Sequence, residues 1–423
     1  MNEYLKNGIK LISANIVAQV TAFMLVPFIA RLYAPEELGI LTLFLTLGGI
    51  LAMLGNGKYE YAIVQAGNRK EAASIFSLCL FINISLHLLI TILLLLAGNE
   101  LLHLLKNYDA ISNYKFYLPL YSFILALAGA LTGWFNYHKR FNLTARYNFI
   151  QIISNGVFKI AAGLLSMKVT GLVLSNVTSH LSGIACAISQ RHVLRGIIGT
   201  DKKAIKTAAA KYANYPKYSL ARTVVNMIAT NLPVLILSVY FNMEEIGFIS
   251  MAITLAFRPL NILSLASNQV LFKKYSEMKN RKIQMWKSMR KLLVKSSAGM
   301  AIAFAAIYIC LDWLTSIILG SEWAECSTYI KDMYPWLLIS VFGASLDFIP
   351  DVFQRQKGLM LSEMLLFAGR LAGLVIGISS GDIHTAISVY SWMSFIFIFL
   401  QLTWYVKLIR QYDRRISAMQ PRT

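Results

Sequence analysis

Residues 74–97 read SIFSLCLFINISLHLLITILLLLA, a run without a single Lys, Arg, Asp or Glu. At 1.5 Å per residue a helix of this run is about 36 Å long, enough to cross the ~30 Å hydrocarbon layer of a bilayer. A helix also satisfies its own backbone N–H and C=O groups, as a lipid environment demands. On either side the same length rule predicts spans at about 11–31, 38–55, 116–136, 148–167 and 170–190. A second set is predicted at 218–241, 246–271, 296–319, 333–353, 359–378 and 384–406. With 74–97 this makes twelve. Composition agrees: 57% of the 423 residues are apolar and 14% charged, against roughly 45–50% and about 25% in soluble domains. Mean hydropathy is +0.57.

The net charge of +20 would suit phosphate neutralisation on nucleic acid. The basic residues instead cluster in short segments between apolar runs, which marks orientation in a membrane, so no nucleic-acid partner is expected. With the N-terminus inside, the predicted inner segments hold 31 of the 40 Lys and Arg. The outer loops and their edges hold five: Arg31, Lys106, Lys115, Lys168 and Lys331. Cationic loops stay in the cytoplasm, so both termini are expected there. The leading MNEYLKNGIK runs into apolar sequence without a small-residue cleavage site and reads as the approach to a first span. Cys79, Cys186, Cys310 and Cys326 form no CxxC pair, and no metal site is indicated. Walker A and HExxH patterns are absent, which points away from ATP hydrolysis and from zinc-dependent hydrolysis by this chain.

Tyr33-Ala-Pro-Glu-Glu-Leu-Gly-Ile-Leu-Thr-Leu43 compares with Phe241-Asn-Met-Glu-Glu-Ile-Gly-Phe-Ile-Ser-Met251. Glu36, Glu37 and Gly39 match Glu244, Glu245 and Gly247 at an offset of 208, about half the chain. Each copy follows the first span of its half. Parallel repeats of six helices are a transporter architecture, with the substrate site between the halves. The expected organisation is therefore a six-helix bundle over 1–190, a basic cytoplasmic linker over 191–217, a second bundle over 218–406 and a basic tail over 407–423. In the linker, DKKAIKTAAAKYA is either a helix lying on anionic lipid headgroups or a segment whose charge only fixes orientation.

Charge inside a bilayer costs at least about 2.5–3.5 kcal/mol, so it generally faces a cavity or a partner. Lys159, Arg222, Arg258 and Arg370 fall inside predicted spans, Arg258 deepest and Arg222 near the inner surface, where it can snorkel. Asp347 and Glu363 oppose them, with Asp351 and Asp312 nearer the two surfaces. Glu363 and Arg370, seven residues apart, share a helix face about 10 Å from each other. Acids locking helices together is the structural reading. Cations in excess of acids at depth suit a passing phosphate or pyrophosphate, which a guanidinium grips with two parallel hydrogen bonds. Ser154, Asn155, Asn176, Ser179 and His180 add polarity to the fifth and sixth spans, singly as interhelical bonds or together as sugar partners. Pro27 and Pro259 kink their spans.

These features resemble the bacterial polysaccharide-unit flippases of the multidrug/oligosaccharidyl-lipid/polysaccharide (MOP) exporter superfamily. The resemblance rests on Ala30-Arg31-Leu-Tyr33-Ala-Pro35-Glu36-Glu37-Leu-Gly39, Lys58-Tyr59 with Ala62-Ile-Val64, Tyr215-Pro216 and Gln269-Val-Leu-Phe272. It implies an all-α polytopic protein of the bacterial inner membrane with a MATE-like fold, two six-helix bundles and alternating access. It implies a cargo of undecaprenyl-pyrophosphate bearing an O-antigen or capsule repeat unit. Lys159, Arg222, Arg258 and Arg370 are then the substrate-binding candidates, and Asn155, Asp347 and Glu363 the cavity or Na⁺/H⁺-coupling candidates. No cofactor is implied. A polysaccharide polymerase and chain-length proteins are the further partners, and the chain is expected to be a monomer. The drug-exporting branch typically carries a carboxylate in the first span, and residues 11–31 hold none. Peptidoglycan-precursor flippases usually add spans beyond twelve. A polymerase or glycosyltransferase generally presents a large outer loop, whereas the outer loops here are about 20 residues or fewer.

Overall fold

The computed structural model describes residues 17, 19–102, 108–189, 191–199 and 201–419. Lys6, Lys10, Lys106, the start of the first expected span and the last tail residues lie outside the described residues. Secondary structure among the described residues is entirely helical. The helices at the expected spans are α1 (Gln19–Ala30), α2 (Pro35–Gly55), α3 (Arg69–Leu102), α4 (Tyr117–Tyr137), α5 (Phe141–Leu164) and α6 (Lys168–Ile188), then α7 (Ala221–Tyr240), α8 (Met243–Asn280), α9 (Trp286–Leu319), α10 (Tyr334–Leu346), α11 (Gln356–Ile378) and α12 (Ile383–Met419). Among the described residues, nine helices are long and apolar enough to cross a membrane: α2, α3, α4, α6, α7 with the turn before it, α9, α10 with the short helix after it, α11 and α12. The polar load of the others is visible in sequence. α5 carries Arg146, Gln151, Asn155 and Lys159, and α8 carries Glu244, Glu245 and Arg258.

Several helices outrun their apolar spans. α8, α9 and α12 continue into basic sequence, because hydropathy registers only the lipid-buried part while helical hydrogen bonding carries on into water. Conversely the expected span 333–353 is broken. α10 stops at Leu346, and a separate turn, Ile349–Val352, starts with Pro350 in its first positions. Proline has no N–H to continue the α10 ladder.

The chain forms two compact units, Met1–Ser250 and Met251–Thr423. Within the first, α5 packs along α6, α2 along α4, and α7 against α2. Within the second, α11 and α10 both pack on α12.

The repeated Glu-Glu-x-Gly motif has a structural explanation. Pro35 opens α2, and the N–H of Ala34 donates to Glu37 Oε2 at 3.1 Å. At the start of α8 the N–H of Asn242 donates to Glu245 Oε2 at 3.0 Å, while the N–H of Glu245 donates to Asn242 Oδ1 at 2.9 Å. Both are capping arrangements that satisfy donors a helix N-terminus leaves orphaned. The two glycines then meet reciprocally within the first unit. A Cβ on Gly39 would run into the carbonyl of Met243, and a Cβ on Gly247 into the carbonyl of Pro35. Pro35 and Met243 are themselves repeat equivalents, so the two copies of the motif cross each other backbone to backbone. Only glycine permits that approach.

The linker folds onto the first unit. Asp201 caps a helix over Lys202–Lys211, accepting from the N–H of Lys203 at 2.8 Å. Tyr59 of the Lys58-Tyr59 motif donates its hydroxyl to the carbonyl of Ala209 at 3.1 Å, and Lys211 Nζ lies 2.5 Å from Glu71 Oε1. That carboxylate holds the Lys211 ammonium above the usual lysine range. Lys202, Lys203 and Lys206 stay exposed on the other side of the linker helix.

Candidate functional site

The expected site residues separate into two environments. In the second unit, Arg370 of α11 is half-buried, and its Nε donates to Ser394 Oγ of α12 at 3.0 Å. Its guanidinium carbon lies 5.1 Å from the centre of the Trp336 ring and 5.6 Å from that of Tyr390. The two rings meet edge to face at 5.3 Å. Trp336 is anchored at its backbone, whose N–H donates to Ser391 Oγ at 3.0 Å. Aromatic faces attract the cation without neutralising it. Arg370 forms no ion pair among the described residues. Its terminal nitrogens, the ones that grip a phosphate or carboxylate in parallel, make no hydrogen bond among the described residues.

Trp336 also lines an open cavity of about 290 Å³ between α8, α10, α11 and α12. Its polar lining is Ser264, Ser340, Asp347, Glu363 and Gln401. Asp347 accepts from the Tyr405 hydroxyl at 3.4 Å, and Gln401 Nε2 donates to Ser362 Oγ at 3.1 Å. Asp347 and Glu363 thus border one space, and Trp336, which the Arg370 guanidinium overlies, is part of the same lining. Two carboxylates and several neutral oxygens around a small cavity form a donor set suited to a monovalent cation or a proton. Arg258 sits next to Phe257, whose ring packs on Trp336 at 4.1 Å. It is half-buried and forms no ion pair among the described residues.

The first unit uses its polar side chains differently. Asn155 of α5 donates from Nδ2 to Asn176 Oδ1 at 3.1 Å, to Ser179 Oγ at 3.3 Å and to the carbonyl of Ser175 at 3.4 Å, all on α6. The Tyr147 hydroxyl and His180 Nδ1 are 2.7 Å apart, and Gln151 Nε2 donates to Ser179 Oγ at 3.4 Å. This is a ladder of interhelical bonds. The backbone of Lys159 accepts from the Tyr33 hydroxyl at 2.7 Å, and its side chain is half-buried. Arg222 lies exposed at the start of α7. Asp312 is taken by Lys331 at 2.7 Å.

Sequence reasoning missed Trp336, Tyr390, Ser391 and Ser394. One signal was available: Tyr390, Ser391 and Ser394 put polar atoms on one stripe of an otherwise apolar helix. Trp336 carried none, since a tryptophan near a span end reads as an interfacial anchor.

The family described as polysaccharide biosynthesis protein matches residues 28–328. No curated protein matches the sequence. Among solved structures, the lipid II flippase MurJ in an inward closed conformation aligns with a TM-score of 0.69 at 10% identity, covering 97% of this chain and 91% of that one. An inward-facing multidrug resistance MATE family transporter of the MOP superfamily aligns with a TM-score of 0.66 at 12% identity, covering 94% and 99%. A MOP superfamily transporter from Pyrococcus furiosus, described as having a binding pocket of reverse polarity, aligns with a TM-score of 0.60 at 14% identity, covering 96% of both chains. At such identities the likeness establishes the fold alone, the one these three solved structures share. The family match covers well over half of the chain, and this multi-pass membrane protein belongs to the polysaccharide biosynthesis protein family.

Proposed function

We propose that the chain is a flippase of the bacterial cytoplasmic membrane. It carries undecaprenyl-pyrophosphate-linked oligosaccharide repeat units from the cytoplasmic to the periplasmic leaflet by alternating access. The observation that carries this reading is Arg370. Its Nε is fixed by Ser394, two aromatic rings flank it, and its terminal nitrogens make no hydrogen bond among the described residues. A fixed guanidinium of this kind binds a phosphate bidentately, with orientation as well as attraction. Trp336 and Tyr390 add flat apolar faces on which sugar rings stack. Arg258 in the second unit, and Lys159 and Arg222 in the first, are the further cationic candidates for substrate binding. Asp347 and Glu363 bind the coupling cation, Na⁺ or H⁺, whose arrival changes the charge of the cavity.

Deleting the gene and weighing the accumulated lipid-linked intermediates tests the reading. A build-up of complete, unpolymerised repeat units on the inner side is expected. Normal surface glycan without such a build-up contradicts it. One observation favours a second reading, a cation-coupled small-molecule exporter of the same superfamily. Two carboxylates line the 290 Å³ cavity, and carboxylates suit a cationic drug. Dye and drug efflux from cells expressing the chain decides between the two.

A further inference from the structure

A second cavity in the Met251–Thr423 unit plays no part in the reading above. About 700 Å³ of open space lies between α9, α10 and α12. Along α12 its wall is a broad helical stripe: Phe399, Leu402 and Val406, then Lys407, Arg410 and Arg414. Phe399, Leu402 and Val406 are three and four positions apart, as are Lys407, Arg410 and Arg414, and Val406 adjoins Lys407, so together they occupy one broad side of the helix. The stripe changes from apolar to cationic at Val406–Lys407, where the apolar run of α12 ends. Leu293 of α9 and Ile339 and Phe342 of α10 close the apolar part from the other side.

The cations at the mouth are not internally neutralised. Lys407, Arg410 and Arg414 are exposed and form no ion pair among the described residues. The nearby acid, Asp413, is engaged elsewhere. Its two oxygens accept from the N–H groups of Met285 and Trp286 at 2.8 and 2.7 Å, capping α9. Arg410 stacks over the Trp286 ring at 4.3 Å, which holds the guanidinium in place while leaving its edge free. From Phe399 to Val406 the groove rises about 10 Å, and from Lys407 to Arg414 about another 10 Å. That profile is complementary to one class of molecule, an anion with a hydrocarbon chain attached, standing at the cytoplasmic surface.

We propose that this groove binds an anionic phospholipid of the cytoplasmic leaflet. Its phosphate sits among Lys407, Arg410 and Arg414, and one acyl chain lies along Leu402, Val406 and Phe342. The site is separate from Arg370 and does not depend on what cargo the protein carries.

The test uses the full chain purified in neutral detergent, with binding of phosphatidylglycerol and phosphatidylcholine measured by native mass spectrometry. Wild-type protein is expected to bind phosphatidylglycerol at least tenfold more tightly than phosphatidylcholine. Each cation near a membrane surface contributes about fivefold, so Lys407→Gln with Arg414→Gln should weaken phosphatidylglycerol binding about thirtyfold and leave phosphatidylcholine binding unchanged. Both positions are exposed, and an unchanged lipid-free melting temperature verifies the fold; if the pair melts early, Lys407→Gln alone should show the fivefold step. Phe399→Ser, which alters only the wall, should also weaken binding. Equal affinity for the two lipids, or wild-type affinity in the double variant, overturns the proposal. So does free glycerol phosphate competing as well as the intact lipid, since that places no chain in the groove. Polyprenyl phosphate displacing phosphatidylglycerol at a hundredth of its concentration overturns it in favour of a cargo-entry site.

Discussion

In the first unit Asn155 of α5 donates from Nδ2 to Ser179 of α6; in the second, Arg370 of α11 donates from Nε to Ser394 of α12. Both bonds join residues 24 apart. A shift of 215 residues carries the first residues of one helix pair, Phe141 and Lys168, onto those of the other, Gln356 and Ile383. The same shift carries Asn155 onto Arg370 and Ser179 onto Ser394. The serine is a common socket, and what plugs it differs. Asn155 is short, and its other bonds return to α6, so it closes the joint. Arg370 is long and charged, fills the socket with Nε alone, and keeps its outer nitrogens beyond it. Where the repeats agree, as in Glu37 and Glu245 or Gly39 and Gly247, the chemistry is architectural. Where they diverge at matched positions, the second unit carries a guanidinium, the group proposed to bind an anion.

If agreement marks architecture, changing a shared residue should damage the fold most. Gly39→Ala and Gly247→Ala each force a methyl into a backbone carbonyl, which costs roughly 3 kcal/mol if the helices cannot part. Membrane levels of both variants should fall several-fold, with a lower melting temperature. Next comes Arg370→Asn, which gives the second unit the plug of the first. It should keep the bond to Ser394 and a near wild-type melting temperature, yet lose most translocation. Hydrogen bonds to charged groups contribute about 1.5–3 kcal/mol each, so a drop of ten- to a hundredfold is expected in surface glycan. Arg370→Lys should recover only part, because an ammonium cannot bond bidentately. A third change, Glu363→Gln, removes a charge from the 290 Å³ cavity. Translocation should fall several-fold and lose its dependence on an imposed Na⁺ or proton gradient, as measured in vesicles. The smallest effect belongs to Asn155→Ala. It should lower stability by about 1 kcal/mol and leave translocation per folded molecule unchanged; a transport defect larger than the stability loss would mean that α5–α6 also meets cargo.

Most of the helical frame was legible because lipid imposes one dominant rule on sequence. Residues 74–97 needed only their lack of charge, and the repeated Glu-Glu-x-Gly was visible as a match at half-chain spacing. The break after Leu346 was harder to see, since Pro350 sits in sequence that is apolar on both sides. Burial depth pointed to Arg258 and Arg370, but hydropathy ranks residues by depth and not by direction. It treats Asn155 and Arg370 as equally polar intrusions, although one is bonded three times to α6 and the other lies between the Trp336 and Tyr390 rings with only its Nε bonded. Trp336 escaped notice for a related reason, because a ring that anchors at an interface and a ring that flanks a guanidinium have the same sequence signature.

The account rests on Arg370 being a phosphate-binding group. Purified wild-type and Arg370→Asn protein, reconstituted in liposomes with undecaprenyl-pyrophosphate-linked glycan on one face, permit a direct measurement of the rate at which glycan reaches the other face. The wild-type protein should translocate the lipid-linked glycan, and the variant, folded and inserted to the same extent, should do so at least ten times more slowly. Equal rates in the two would contradict the account.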